Sequence, residues 1–252
     1  DYKVTGVQTC ALPILGLAAA LAVASFYNLG QPQFVDHQAN RRTFVHHYDM
    51  RVYFPVAKYF EELKFDGLYL ASVATYAEEH GGMGAPELQG AELRDLRTHH
   101  MRPVQKVGRE IAEVKARFTP ERWAEIKEDF RYFWEAMGTR GYLGSLSDHG
   151  GNATPVWLTL AWLMFRAAPA SDGVLLAAAL LDPLLLLGLA LVIARTFGAR
   201  AAWLSLIVYG ANDFVMFGTN WAGATLRNDW MVWLGLGVCA LAMGRHRTGG
   251  AL

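Results

Sequence analysis

The residues best suited to chemistry lie directly after the first apolar segment of the chain. Residues 36–49 contain two carboxylates, three imidazoles and two guanidinium groups: Asp36, His37, Arg41, Arg42, His46, His47 and Asp49. Carboxylates and imidazoles bind divalent metals or accept protons, and guanidinium groups bind phosphate. The cluster is therefore a candidate site for a phosphate and a divalent metal. The alternative is a solvated loop with histidines near the membrane.

The spacing within this cluster does not specify a metal. Adjacent helical residues point about 100° apart, so we expect that His46 and His47 do not easily face one metal together. The chain has no HExxH, CxxC or glycine-rich phosphate-loop motif. The identity of the metal therefore stays open.

A second polar cluster precedes a later apolar segment. The stretch GSLSDHGGNATPVW offers Asp148, His149 and Asn152 beside Gly150 and Gly151. Backbone amides and polar side chains in a glycine-rich turn can bind a headgroup-like substrate. The alternative is that the glycines and Asn152 only turn the chain and cap the next helix.

Three further charged residues lie in or between apolar segments. Asp182 and Asp213 lie inside such segments, where a carboxylate costs a few kcal/mol and is expected to face a cavity, a partner or a substrate path. Arg227, in the stretch GTNWAGATLRNDW, is a candidate substrate-binding residue in the loop between the last two apolar segments. The alternative for that loop is a capped hairpin anchored by its tryptophans.

The charge of the chain is unevenly distributed. Of 46 charged residues, 34 (18 acidic and 16 basic) lie between residues 30 and 154, and the formal net charge of the chain is zero. This segment is therefore built for water and the flanking segments for lipid. Because its charges nearly balance, it offers no basic patch, and nucleic acid is not an expected partner.

The apolar segments predict a protein that crosses the membrane about five times. The candidate spans are residues 15–29, 155–168, 173–193, 201–217 and 230–243. The first is shorter than the ~20 residues that span a bilayer. The segment Asp182-Pro183 could instead split the third span into a re-entrant pair. Thr154 before Pro155 predicts the cap and first residue of the second span.

The polar segment at residues 30–154 predicts amphipathic helices rather than a linker. Apolar residues recur at helical spacing in FVHHYDMRVYFPVAKYFEELKF and, after Thr119-Pro120, in a second helix that we expect to end at Gly138. The apolar stripe of the second helix is Trp123, Ile126, Phe130, Phe133, Trp134 and Met137. Such stripes suit either a small packed core or helices lying in the membrane interface.

The two ends of the chain predict interruptions of a longer gene. Residues 1–14 have neither the basic start nor the apolar run of a signal peptide, and they resemble a translated sequencing adapter. We therefore expect them to be non-native and the first span, residues 15–29, to be truncated. Residues 244–252 follow the last span and are expected to be a truncated C-terminal end.

Several stretches resemble known membrane proteins. HHYDMRVYFPVAKYFEELKFDGLYLASV, RFTPERWAEIKEDFRYF, DHGGNATPVW and WAGATLRNDW are similar to a family of uncharacterised bacterial multi-pass membrane proteins, and the arrangement resembles glycosyltransferases of the GT-C type. The GT-C resemblance implies a polyprenyl-phosphate-linked sugar donor, inverting transfer, often a divalent metal, and a catalytic carboxylate in the first exoplasmic loop. Asp36 matches that carboxylate, with Asp49 second, although the paired-acid motif of the superfamily is absent.

The sequence thus predicts an all-α, polytopic protein of the bacterial inner membrane with a large helical extramembrane loop. Two other functions stay open: a transporter or channel-like protein that uses Asp182 and Asp213, and a non-catalytic assembly subunit. Basic residues near short loops slightly favour a cytoplasmic loop, whereas the GT-C resemblance favours the opposite side, where we place it. A transporter predicts acids along a membrane cavity, and a glycosyltransferase predicts an interfacial pocket containing Asp36 or Asp49.

Overall fold

The computed structural model describes residues 5–212 and 229–252, with side chains from residue 12 onward. These residues are mostly helical, as predicted, and include two short β-hairpins that the all-α prediction lacked. They form two compact units. The polar unit contains residues 34–177. The apolar unit contains residues 5–33, 178–212 and 229–252.

The polar unit contains six helices, the two hairpins and the first residues of a seventh helix, which begins at Asp172. The six helices are α2 (His47–Lys58), α3 (Phe60–Leu63), α4 (Gly67–Glu79), α5 (Gly108–Lys115), α6 (Pro120–Gly144) and α7 (Pro155–Phe165), numbered after α1 (Thr5–Phe26) of the apolar unit. The strands are β1 (Phe34–Asp36), β2 (Arg41–Thr43), β3 (Glu92–Arg94) and β4 (Met101–Pro103), paired β1 with β2 and β3 with β4, both antiparallel.

Local capping sets the starts of α6 and α7. The hydroxyl of Thr119 accepts a hydrogen bond from the Arg122 amide at 3.3 Å, and the hydroxyl of Thr154 accepts one from the Trp157 amide at 3.2 Å. Each threonine is followed by a proline in the first helical turn, which lacks the N–H that would stay unpaired there. Both predicted helix starts are confirmed.

The amphipathic stripes form a packed core in the polar unit. All six apolar residues predicted for α6 are buried, as are Val52, Val56, Tyr59 and Leu63 from the first predicted stripe. Phe54 of α2 packs against Phe133 of α6 and Phe165 of α7, with ring centroids 6.0 and 4.8 Å away. Burial to this extent favours the packed-core alternative over helices lying in the membrane interface.

A break in α6 ties the first hairpin to this core. Gly138 has φ 67° and ψ 156°, a conformation that favours glycine, so the helix is interrupted there and then continues to Gly144 rather than ending as predicted. Just before the break, the carbonyl of Ala136 accepts a hydrogen bond from the His37 amide at 2.8 Å. This bond fixes the end of β1 beside α6.

The apolar unit contains α1 (Thr5–Phe26), most of α8 (Asp172–Phe197), α9 (Ala199–Gly210), α10 (Asp229–Ala242) and α11 (His246–Ala251). Here α1 continues through residues that the sequence assigned to a non-native segment. Gly210 of α9 lies against the backbone of α1, where a Cβ atom would sit 2.6 Å from the Ala22 oxygen and the Val23 nitrogen. The hydroxyls of Tyr27 and Tyr209 lie 2.9 Å apart in the same contact.

One described helix, α8, is long and apolar enough to cross a membrane. The prediction of about five spans is therefore wrong by this criterion. Among the residues described with their side chains, three other apolar helices are shorter than this criterion requires, at Leu12–Phe26, Pro155–Phe165 and Asp229–Ala242. Pro183 lies inside α8 without ending it, so α8 is one helix rather than a re-entrant pair.

Candidate metal centre

Three distant segments of the polar unit bring two carboxylates and an imidazole together. Asp36 ends β1, His47 begins α2 and Asp172 begins α8. One ligand atom from each residue lies within 4.8 Å of the other two. Asp36 and His47 are each 4% exposed, and Asp172 is partly exposed. A cluster of this kind has the donor types that a divalent metal requires.

Tyr132 of α6 links two members of this cluster. Its hydroxyl donates to Asp172 Oδ1 at 2.7 Å and lies 3.1 Å from His47 Nε2. Burial raises the pKa of Tyr132, and the hydrogen bond to Asp172 raises it further, so the phenol keeps its proton at neutral pH. Arg41 completes the group through an ion pair with Asp172, and it also lies opposite Asp36 in the hairpin register.

The hydrogen bonds around Tyr132 determine the tautomer of His47. Because the single hydroxyl proton of Tyr132 goes to Asp172, His47 Nε2 must carry a hydrogen and donate it to the phenolic oxygen. Burial lowers the pKa of His47, although Asp36 and Asp172 oppose that change, so the ring is neutral at neutral pH. Its Nδ1 then has a free electron pair, and this buried atom has no hydrogen-bond partner in the described part of the chain.

These residues fit a divalent metal on their own chemistry. Neutral imidazole nitrogen and carboxylate oxygen together suit Mn²⁺, Zn²⁺ or Fe²⁺. Asp36 uses Oδ1 to accept the Ala39 amide at 3.0 Å, which holds the carboxylate in place. Tyr132 would orient both His47 and Asp172 from outside the coordination shell, in the manner of the partners that usually support metal ligands.

The predicted cluster at residues 36–49 is only partly brought together. Asp49, the second catalytic candidate, lies 3.2 Å from His46 Nδ1 and is not in the group with Asp36 and His47. Residues two positions apart on a helix point in nearly opposite directions, so His47 and Asp49 of α2 face different surroundings. Arg42 is exposed on β2 opposite Val35.

The other candidate residues lie elsewhere or outside the described residues. Asn152 accepts a hydrogen bond from the Tyr53 hydroxyl, and the His149 ring lies 6.3 Å from the His99 ring. Asp148 accepts the His149 amide at 2.5 Å. Asp182 is buried in the apolar unit. Asp213 and Arg227 lie outside the described residues.

Two residues of the centre were missed from sequence. Asp172 precedes a long apolar run and lies in the first turn of α8. An acid is favourable at that position in any helix, so its presence did not indicate a functional site. Tyr132 reads as one more aromatic residue of α6. The one available signal for Tyr132 was its position as a polar residue beside the apolar stripe of α6.

The chain was compared with known proteins at three levels. No protein-family model, curated protein or solved structure matches it. The geometry of the candidate metal centre is therefore the only guide to function among the described residues.

Proposed function

We propose that this chain belongs to a multi-pass membrane enzyme of GT-C type that moves a sugar from a polyprenyl-phosphate-linked donor to an acceptor. The observation that carries the proposal is the convergence of Asp36, His47 and Asp172 beside Arg41. A donor of this class presents phosphate next to the bond that breaks. Metal ligands beside a guanidinium group are suited to hold that phosphate.

The position of Asp172 supports a reaction at the membrane surface. Asp172 is the first residue of α8, which is long and apolar enough to span a bilayer. A residue at the end of such a helix lies at the boundary between lipid and water. A polyprenyl-linked donor has its tail in lipid and its phosphate at that boundary. We extend the proposal to a bacterial inner-membrane protein in which the shorter apolar helices also lie in the bilayer.

Each residue of the centre has a part in the proposed transfer. His47, Asp172 and Asp36 would hold a divalent metal, which would supply positive charge to the departing phosphate. Arg41 and Arg42 on β2 bind phosphate oxygens. The Asp36 carboxylate accepts the proton of the acceptor as the new bond to the sugar forms and the bond from the sugar to phosphate breaks. Tyr132 keeps His47 and Asp172 in position.

Metal binding by the full chain tests the proposal directly. In detergent, titration with Mn²⁺ followed by electron paramagnetic resonance should show one bound ion per chain. Replacing a ligand, as in Asp36→Asn or His47→Gln, should weaken binding at least about tenfold. Asp49→Asn is the matched control because Asp49 lies outside the centre, and it should bind Mn²⁺ like the unchanged protein.

Release of polyprenyl phosphate from a lipid-linked sugar donor tests the reaction itself. We expect release that requires the metal and is lost in Asp36→Asn. Full release by Asp36→Asn would refute the assigned role of Asp36. If the protein neither binds the metal nor releases polyprenyl phosphate, the result would favour an assembly subunit.

The transporter alternative has one observation in its favour. Asp182 lies in the middle of α8 and is 4% exposed, as expected for an acid that serves a transport path. In that case Asp182→Asn would abolish proton- or ion-coupled uptake into vesicles while Mn²⁺ binding stayed unchanged.

A further inference from the structure

A buried arginine in the polar unit has no matching acceptor. Arg51 of α2 is 0% exposed and is among the largest fully buried side chains. Its Nε and both Nη atoms have no hydrogen-bond partner within residues 5–212 and 229–252. A guanidinium group stays protonated in proteins, so Arg51 carries a full positive charge and five N–H donors into the core.

Two tyrosine rings compensate this charge only in part. The guanidinium carbon lies 5.0 Å from the centroid of Tyr69 and 4.9 Å from that of Tyr142. Burial raises the pKa of Tyr142, and the charge of Arg51 opposes that rise. Cation–π contacts stabilise a desolvated guanidinium, but they accept no hydrogen bonds, so they leave its donors unsatisfied.

Asp148 is close enough to act on the same tyrosines but is held by another contact. Burial raises the pKa of Tyr69, Arg51 opposes the rise and Asp148 adds to it. Tyr48, which is partly exposed, responds to both charges as well. The Asp148 carboxylate nevertheless accepts the neighbouring His149 amide rather than pairing with Arg51. The Asp148 charge therefore acts on these tyrosines without forming a hydrogen bond to Arg51.

We propose that Arg51 binds an oxyanion, a phosphate or carboxylate group that reaches it from the side of Tyr48 and residues 148–151. Two oxygens of such a group match the paired N–H donors of a guanidinium. The loop at residues 148–151 contacts one of the two tyrosines that pack on Arg51, because the Gly150 amide donates to the Tyr69 hydroxyl at 3.0 Å. None of these residues belongs to the metal centre, so the two proposals stand or fall separately.

Thermal unfolding of the full chain in detergent tests the site with inorganic phosphate as the probe. Phosphate at about 100 times its dissociation constant should raise the Tm of the unchanged protein by several degrees relative to chloride at equal ionic strength. Arg51→Met should lose this response to phosphate, whatever its own Tm. Arg109→Met is the matched control, since Arg109 is 90% exposed, and it should keep the response.

Two further measurements identify the anion and test whether Asp148 is instead the counterion of Arg51. Acetate in place of phosphate shows whether a carboxylate is also accepted. Asp148→Asn removes the competing internal charge, so it should keep or enlarge the response to phosphate. The proposal is overturned if neither anion raises the Tm of the unchanged protein, or if Arg51→Met responds equally. It is also overturned if only Asp148→Asn responds to phosphate, because Asp148 is then the counterion of Arg51 in the unchanged protein.

Discussion

Lys58 Nζ lies 2.8 Å from Asp129 Oδ2, and the two side chains are 1% and 2% exposed. The same Asp129 oxygen accepts the Tyr59 hydroxyl at 2.6 Å, and the other oxygen accepts the Ala170 amide at 2.7 Å. Lys58 also donates to the Ala168 carbonyl at 2.8 Å. One buried ion pair thus joins α2, α6 and the segment that leads to Asp172.

Breaking this pair should unfold the polar unit readily. Lys58→Met leaves Asp129 as a buried charge without its cation, so we expect a loss of about 3 kcal/mol in the free energy of unfolding. The double variant Lys58→Met with Asp129→Leu should recover part of the loss because no charge stays buried, although the Tyr59 hydroxyl and the Ala170 amide lose their acceptor. Denaturant unfolding measures both.

Glu128→Gln is the control for the ion pair, since Glu128 is the neighbour of Asp129 on α6 but is 66% exposed. Its cost should stay below about 0.5 kcal/mol. A double variant as unstable as the sum of its two single variants would contradict the buried-pair argument.

Tyr132→Phe should release His47 from its fixed tautomer. The substitution removes the acceptor of the Nε2 hydrogen and the donor to Asp172 but keeps the ring. In the full chain with labelled histidine, the ¹⁵N shifts of His47 should change from one tautomer to a mixture, and Mn²⁺ affinity should fall about tenfold. Tyr53→Phe, whose hydroxyl contacts Asn152, should change neither. Unaltered His47 shifts in Tyr132→Phe would mean that another group sets the tautomer.

Asp66 should make the polar unit sensitive to acid. Hydrogen bonds from Arg117, and then from Arg97, lower the pKa of Asp66 from its ordinary 3.8 to about 2. A lowered pKa in the folded state means that this stabilisation is complete above about pH 4 and is lost as the pH falls toward 2.

The variant Asp66→Asn measures that contribution. It should be less stable than the unchanged protein by about 1 kcal/mol at pH 7, after allowance for solvent screening. The difference in Tm should shrink between pH 4 and pH 2. A difference that stays constant over this range would show that the carboxylate charge is not the cause.

Gly210 should be required for the contact between α9 and α1. A Cβ atom there would meet the backbone at Ala22, which cannot move as a flexible side chain does. We expect Gly210→Ala to lower stability by about 1–3 kcal/mol. Gly188→Ala in α8 is the control, because nothing lies within 4 Å of its Cβ position, and it should be neutral or slightly stabilising. Equal Tm values for the two variants would contradict the close packing.

Local features of the fold were predictable from sequence. Thr119-Pro120 and Thr154-Pro155 predicted two helix starts because capping depends on residues within one turn. The stripe from Trp123 to Met137 predicted the buried face of α6 because helical periodicity repeats over several turns. The hairpins were missed, since strands of three residues are too short for an alternating pattern.

The metal centre was only half predictable. Asp36 and His47 were candidates because they lie close in sequence among other polar residues. Asp172 is far from Asp36 and His47 in sequence and lies beside them only in the folded chain. No local sequence pattern indicates that contact. Asp49 was a candidate for the same reason but lies outside the cluster, since closeness in sequence does not specify the direction of a side chain on α2.

The broken helix α6 gives the molecule an anchor point that an intact helix would lack. In a continuous helix the Ala136 carbonyl would be occupied by an amide of the next turn. The conformation of Gly138 frees this carbonyl for the His37 amide, which directly follows Asp36. Gly138 is not a member of the metal centre, yet its conformation determines the position of Asp36. A substitution of Gly138 that makes α6 continuous would therefore alter the centre.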